Sequence, residues 1–252
     1  MYALGQQHRI VGISGFTVRP PQARREKPKV SAFTSAKVES ILQLQPDLAI
    51  GFSDIQAEIA HALIKQGIEV WIANHRSVEG ILSYVRRLGA LVGAGPQAEC
   101  YADELQAHIE RVREAAKTLR LRPRVYFEEW DQPQICAIRW VSELIGIAGG
   151  EDVCADRSTS SLAQGRIIAD PDAILEAAPD LIIGSWCGKK FRPEQVAARP
   201  GWSQIPAVRD GELHEIKSPL ILQPGPAALT DGLDALHAII ARWSARRGNP
   251  PR

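Results

Sequence analysis

Apolar positions along the chain follow two alternating rhythms. Short unbroken runs (RIVGIS, LAIGF, IEVWIAN, RVYFEEW, LIIGS and LHEIK) suit strands buried on both faces of a parallel sheet. Between them, in IQAEIAHALIKQG and SVEGILSYVRRLGALVG, apolar residues recur every three or four positions, as on one face of a helix. Strands alternating with helices predict α/β layers with parallel sheets.

One unit of this pattern is written twice. ILQLQPDLAIG starts at Ile41 and ILEAAPDLIIG starts at Ile174, an offset of 133 residues that also pairs Pro46 with Pro179, Asp47 with Asp180 and Gly51 with Gly184. Each copy reads as a short helix opened by an acid, Glu39 or Asp172, where the helix dipole favours negative charge. Pro-Asp then ends the helix and a buried strand follows. Two similar α/β lobes are therefore expected, and open α/β sheets place ligands outside the carboxyl ends of their strands.

Between the copies, Tyr101, Leu105, Ile109, Val112 and Leu119 form one apolar stripe, with Pro96 ahead of it and Pro123 behind. The division expected is an N-terminal lobe over 1–95, a bridging helix over 96–122 and a C-terminal lobe over 123–252 with its final helix packing back. About 24 helical residues would span about 36 Å, enough for a stiff bridge. In the final helix Leu229, Leu233, Leu236, Ile240 and Trp243 share a face, and the tail SARRGNPPR is expected to fray.

Composition narrows the function classes. The 252 residues carry 30 Lys and Arg against 29 Asp and Glu, a net charge of +1, so no global charge draws the chain to nucleic acid. No apolar run approaches the ~18 residues of a membrane span. MYALGQQHRIVGIS lacks the basic and apolar segments of a signal peptide. Cys100, Cys136, Cys154 and Cys187 show no zinc-like spacing and read as isolated buried thiols, with a disulfide left open.

The loops after the strands hold the candidate chemistry. Phe16, Phe33, Phe52, Trp130, Trp140 and Trp186 stand there, six of a chain-wide total of six Trp and five Phe. Each could cap the core; together they read as a wall for a large flat ligand. Glu128, Glu129 and Asp131 are clustered acids, but adjacency does not give the opposed placement of an acid/base pair, so orienting a ligand or meeting solvent remain alternatives. His75 follows a strand with no second ligand at metal-binding spacing. The basic run RPPQARREKPK is either an anion holder or a solvated loop. Strong enzyme motifs are absent. Neither a catalytic residue nor a resident metal or cofactor is expected.

These residues resemble a known family. Lobe, long helix, lobe is similar to the class III substrate-binding proteins of ABC importers, and within that class to the vitamin B12 (cobalamin) binding proteins. RIVGISGFTVRPPQA resembles the family's first-lobe entry. FEEWDQPQICAIRWVSELIGIAGGEDV is similar to the second-lobe opening of many cobalamin-binding members. The resemblance implies two Rossmann-like lobes and a non-catalytic, monomeric receptor that delivers a corrinoid to an importer permease. It places Phe16, Phe33 and Phe52 against the corrin ring, each a Phe where Tyr or Trp is usual. Trp130 and Trp186 would face them from the other lobe, and Trp140, Ser185 and Arg76 complete the expected ligand-binding set.

By the same resemblance Glu39 and Asp172 dock onto the transporter. An extracytoplasmic location is implied, or a cytoplasmic one if Met1 is the true start. Leu4-Gly5 looks like the end of a helix, so the N-terminal lobe is expected to lack its first strand. Alternative readings are an iron-siderophore or haem receptor of the same class, kept open by Arg19, Arg76, Lys189 and Lys190, and an intracellular corrinoid-handling protein or enzyme.

Overall fold

The computed structural model describes residues 1–170 and 172–248. Two compact units emerge. Unit 1 holds Met1–His75 and Ser83–Ala102; unit 2 holds Arg76–Leu82 and the chain from Asp103 onward. The long helix, Gly95–Lys117, therefore begins in unit 1 and continues in unit 2.

In unit 1, β1 (Ile13–Ser14) pairs in parallel with β2 (Lys29–Ser31), and β3 (Leu48–Phe52) pairs in parallel with β4 (Glu69–Ala73). These are two separate two-stranded sheets, with no ladder between β1 and β3. RIVGIS thus contributes a strand of only two residues, since one side of it lacks a partner. Helix Val38–Gln43 ends at Leu44, and the chain turns through Gln45 at φ 47° into Pro46.

Unit 2 has a continuous sheet. β5 (Arg124–Asp131) is central. It pairs in parallel with β8 (Leu181–Gly184), which pairs in parallel with β9 (Leu213–Glu215). On its other edge β5 carries β7 (Glu151–Asp152) in parallel and β6 (Gln134–Cys136) antiparallel. Having a strand on both sides leaves Leu181, Ile182 and Ile183 fully buried, as a double-faced parallel sheet requires.

The repeat is visible in the backbone. Ala178, 133 residues after Gln45, takes φ 42° just before Pro179. A proline disfavours the helical conformation in the residue ahead of it, so the two helices stop within one residue of the same point in the repeat. Gly51 and Gly184 also match. A Cβ at Gly51 would stand 2.5 Å from Ile72 Cδ1 and 2.8 Å from Gln56 Oε1, and one at Gly184 would stand 1.9 Å from the Phe191 ring. In each unit a side chain from a neighbouring element lies over the strand's end.

The long helix buries Ala98, Ala102, Leu105, Ile109 and Val112. It stops five residues before the expected end at 122, where the Thr118 amide and hydroxyl both donate to the Ala115 carbonyl. The final helix runs Leu233–Gly248 after a π turn over Ala228–Gly232, and Leu229, Leu233, Leu236, Ile240 and Trp243 are all buried. The expected fraying from Ser244 does not begin there, because Ser244 is buried and accepts from the Leu121 amide. The rest of that expectation, residues 249–252, lies outside the described residues.

Candidate ligand-binding site

In unit 1 the carboxyl ends of all four strands carry rings or are tied to them. Phe16 follows β1 and Phe33 follows β2; their rings meet edge to face, centroids 6.3 Å apart. They are 48% and 43% exposed, a costly placement for two large apolar rings in water. Gln56 joins the next loop to them. The Phe52 amide donates to Gln56 Oε1 at 2.7 Å, and Gln56 Nε2 donates to the Phe33 carbonyl at 2.8 Å.

Phe52, half-buried, packs its ring on His75 at 5.4 Å, and His75 stacks on Tyr84 at 4.9 Å. Trp71 stacks on Tyr84 from the other side at 5.4 Å. Burial pushes the Tyr84 hydroxyl above its ordinary value, so it stays neutral. Arg24, from the basic run, donates to the carbonyls of Gly15 and Thr17 at 3.2 and 3.5 Å and props the Phe16 loop. Together Phe16, Phe33, Phe52 and His75 line one edge of the unit.

The clustered acids of unit 2 are each taken by a base. Glu128, fully buried on β5, accepts two hydrogen bonds from Arg199 at 2.6 and 2.9 Å, one from the Trp186 indole at 3.0 Å and one from the Tyr126 hydroxyl at 3.2 Å. Glu129 is paired with buried Arg166 at 2.5 Å. Asp131 is paired with Lys189 at 2.5 Å. Strand alternation sends successive side chains to opposite faces, so adjacent acids reach different partners. Buried next to Glu128, the Tyr126 hydroxyl is pushed far up. These carboxylates serve the framework.

Three expected ligand residues are corrected here. Trp186 is 3% exposed and packs on Phe191 at 5.1 Å, with its indole N–H on Glu128. Trp140 is 3% exposed and its N–H donates to the Ile221 carbonyl. Ser185 is fully buried, its amide bonded to the Glu128 carbonyl. They follow β8 or open helix Arg139–Ile147 and serve the core of unit 2. Trp130 remains half-buried at the end of β5, its N–H on the Gln132 carbonyl and its ring under Lys189 at 4.3 Å. Arg76 lies half-buried just after β4.

Glu39 and Asp172 are exposed in the first turns of Val38–Gln43 and Asp172–Ala177. The cysteines differ from four isolated thiols. Cys136 and Cys154 are buried in one cluster, and the hydrogen bond of the Cys154 thiol to Cys136, together with burial, pushes that thiol up. Cys100 and Cys187 are exposed. Among the described residues no three His, Cys, Asp or Glu converge as metal ligands, and no helix is long and apolar enough to cross a membrane.

Two cavities are not this site. One of about 200 Å³ lies inside unit 1, lined by Val11, Ile13, Ile41 and Ile50, and is smaller than the ~300 Å³ of the smallest usual ligand pockets. The other, about 770 Å³ in unit 2, is walled by Glu110, Arg113, Lys117 and Glu143, several already paired with each other or a neighbour. Gln56 and Arg199 escaped the reading of the sequence. Gln56 has a local signal, four residues after Phe52 in a strand-end loop, whereas Arg199 stands 71 residues from Glu128 and has none.

The family description "Periplasmic binding protein" matches residues 1–220. An uncharacterized ABC transporter substrate-binding lipoprotein, YvrC of Bacillus subtilis, is 24% identical over 93% of this chain and 74% of its own. A cobalamin-binding protein of Halobacterium salinarum is 26% identical over 69% of this chain; the chain spans only 50% of it. A vitamin B12-binding protein of Vibrio campbellii is 27% identical over 60% of this chain and 56% of its own. Among solved structures, a vitamin B12-binding protein of Vibrio cholerae superposes with a TM-score of 0.75 at 19% identity, covering 97% and 93%. The haem complex of S. aureus IsdE does so with 0.77 at 18%, covering 94% and 94%. By the extent of the family match this chain belongs to the periplasmic binding proteins, as a class III member similar to those for vitamin B12.

Proposed function

We propose that the chain captures cobalamin or a related corrinoid for an ABC importer, without catalysis. As a substrate-binding protein of the importer type, it needs a surface that grips a solute and releases it unchanged. The observation carrying the corrinoid reading is the row of three phenylalanines at the strand ends of unit 1, two of them nearly half exposed. Such rings gain most from a ligand that is broad, flat and partly apolar. Relatives named for cobalamin and vitamin B12 support the same class. Pairing of Glu128, Glu129 and Asp131 with bases argues for a receptor, since none is a poised acid or base.

The chain would work outside the cytoplasm, as the lipoprotein relative suggests, and as a monomer. Glu39 and Asp172 would meet basic residues of the permease. Haem is the second reading, favoured by His75 beside Phe52 and by Lys189 over Trp130, an imidazole and a cation that suit an iron macrocycle with carboxylate arms.

Titration of the purified protein with cyanocobalamin, haemin and a ferric siderophore, read by tryptophan quenching and calorimetry, separates these. Corrinoid binding at micromolar or lower Kd, about −8 kcal/mol, is expected. Absence of corrinoid binding below millimolar with tight haemin binding would move the assignment to haem.

A further inference from the structure

Two short strands share one edge of β5. β7 pairs with Arg124 and Val125, and β6 pairs with Glu128, Trp130 and Asp131. Among the described residues no ladder joins β6 to β7. β7 runs parallel to β5 and β6 antiparallel, so the two advance on each other along that edge and meet at their carboxyl ends. Cys136 is the last residue of β6, and Cys154 stands two residues past the end of β7. From Val125 to Glu128 the edge is about 10 Å long, and two residues beyond Asp152 cover up to about 7 Å of it. Cys136 lies opposite Glu128, so little of the edge separates the two cysteines.

The Cys154 thiol is hydrogen-bonded to Cys136, inside a cluster with Tyr126, Ile182 and Trp186. Cys136 is fully buried and Cys154 is 4% exposed. Both backbones are anchored. Arg166 Nη1 donates to the Cys136 carbonyl at 2.6 Å, and the Cys154 amide donates to Asp152 Oδ1 at 3.0 Å. The Cys154 carbonyl accepts from the Arg157 and Ser158 amides. A disulfide needs neighbouring backbones and side chains turned towards each other. Thiols already within hydrogen-bonding distance on anchored backbones meet that need without rearranging the sheet.

We propose that Cys136 and Cys154 form a disulfide, made before this edge of β5 closes, that clips the end of β6 to the chain leaving β7 and encloses residues 137–153. The structure holds the two as thiols, which is the reduced state of the pair. The oxidant is a small disulfide such as oxidised glutathione. One cysteine, as thiolate, attacks it, forming a mixed disulfide and releasing one glutathione thiolate. The second cysteine thiolate attacks the cysteine sulfur of that mixed disulfide and releases the other. The two cysteines give up two protons and two electrons, and the small disulfide takes both and leaves as two thiols.

Folding sets the timing. In the closed edge, the hydrogen bond to Cys136 and burial push the Cys154 thiol up, so it supplies no thiolate to start the exchange. Oxidation therefore belongs to the open chain. It suits an oxidising compartment and holds whatever ligand the unit 1 rings take. The bond would tie together two strands of three and two residues that otherwise depend on β5 alone, and closing a loop of this size removes freedom from the unfolded chain.

The test uses the full chain. Reduced protein is incubated with oxidised and reduced glutathione, with and without urea near the unfolding midpoint, then returned to native buffer. Denaturation, alkylation and peptide mapping follow. In the urea sample the peptides holding Cys136 and Cys154 are expected to be joined, with Cys100 and Cys187 alkylated. Without urea the same bond should form at least tenfold more slowly. The bridged protein should melt several degrees above the same chain kept in a phosphine reductant, and Cys136→Ala should remove that redox-dependent shift. Mapping of the unsubstituted chain needs no variant to fold. Four alkylated thiols after the urea step would overturn the proposal and leave the pair as hydrogen-bonded core thiols. So would a bridge through Cys100 or Cys187, equal rates with and without urea, or a bridged form that melts no higher than the reduced one.

Discussion

Arg199 holds Glu128 with two hydrogen bonds across 71 residues of sequence and lays its guanidinium 4.5 Å from the centre of the Trp202 ring. The pair ties the chain just past helix Pro193–Ala197 to the middle of the unit 2 sheet. Replacing Arg199 by leucine strands a buried carboxylate, and such a break costs about 3–5 kcal/mol. Urea unfolding of Arg199→Leu is expected to show a loss of that size, most of it restored by adding Glu128→Gln. A loss under ~1 kcal/mol would mean that the Trp186 and Tyr126 bonds suffice.

The exposed rings separate affinity from stability. Phe16→Ala and Phe33→Ala remove half-exposed side chains, so unfolding free energy should change by only about 0.5 kcal/mol. Cyanocobalamin affinity should fall severalfold in each, because a ring contact is worth about 0.5–1.5 kcal/mol beyond its area. As the two rings touch, the double variant should lose less than the sum. Calorimetric titration of the four proteins measures this.

Gln56 should matter without needing to touch ligand. Gln56→Glu keeps an acceptor for the Phe52 amide and loses the donor to the Phe33 carbonyl; Gln56→Ala loses both. An unsatisfied amide costs about 1–3 kcal/mol. Affinity and thermal stability should both fall in the order wild type, Gln56→Glu, Gln56→Ala.

Asp152 gives a pH dependence of known sign. Burial raises its carboxyl above the ordinary 3.8, only partly offset by hydrogen bonds from Ser142 and the Cys154 amide. The folded form keeps a proton that the unfolded chain has released. Its contribution is thus complete below 3.8 and is lost as pH rises through the raised folded value. Asp152→Asn should flatten the stability profile above pH 4. An unchanged slope in denaturant midpoints between pH 4 and 7 would refute this.

The parallel α/β pattern was legible because it is local. LAIGF and LIIGS read as strands from composition, and Pro46 and Pro179 mark where two helices stop. The terminal stripe from Leu229 to Trp243 follows from spacing alone. What stayed hidden depends on tertiary partners. Trp140 and Trp186 stand near strand-end loops like Trp130, yet their indoles bond inward to Ile221 and Glu128, and no local pattern separates an indole with a buried acceptor from one left at the surface. The acids around Trp130 looked like candidate chemistry because their bases, Arg166, Lys189 and Arg199, are all remote in sequence. Cys136 and Cys154 are brought together by β6 and β7 sharing one edge of β5, which their spacing does not reveal.

The π turn over Ala228–Gly232 sets the rotational phase of the last helix. A π turn carries one residue more than an α turn, and one residue is worth about 100° of rotation. Deleting a single residue there would let the segment wind as ordinary helix with its two flanks still in phase, whereas a deletion within Leu233–Gly248 would rotate one flank by about 100° and take Ile240 and Trp243 out of the interior. Substitution is less free at Gly232, where a Cβ would stand only 2.6 Å from the Leu220 carbonyl. The wide turn takes up one residue of chain length, so this point should tolerate a deletion better than the regular helix after it.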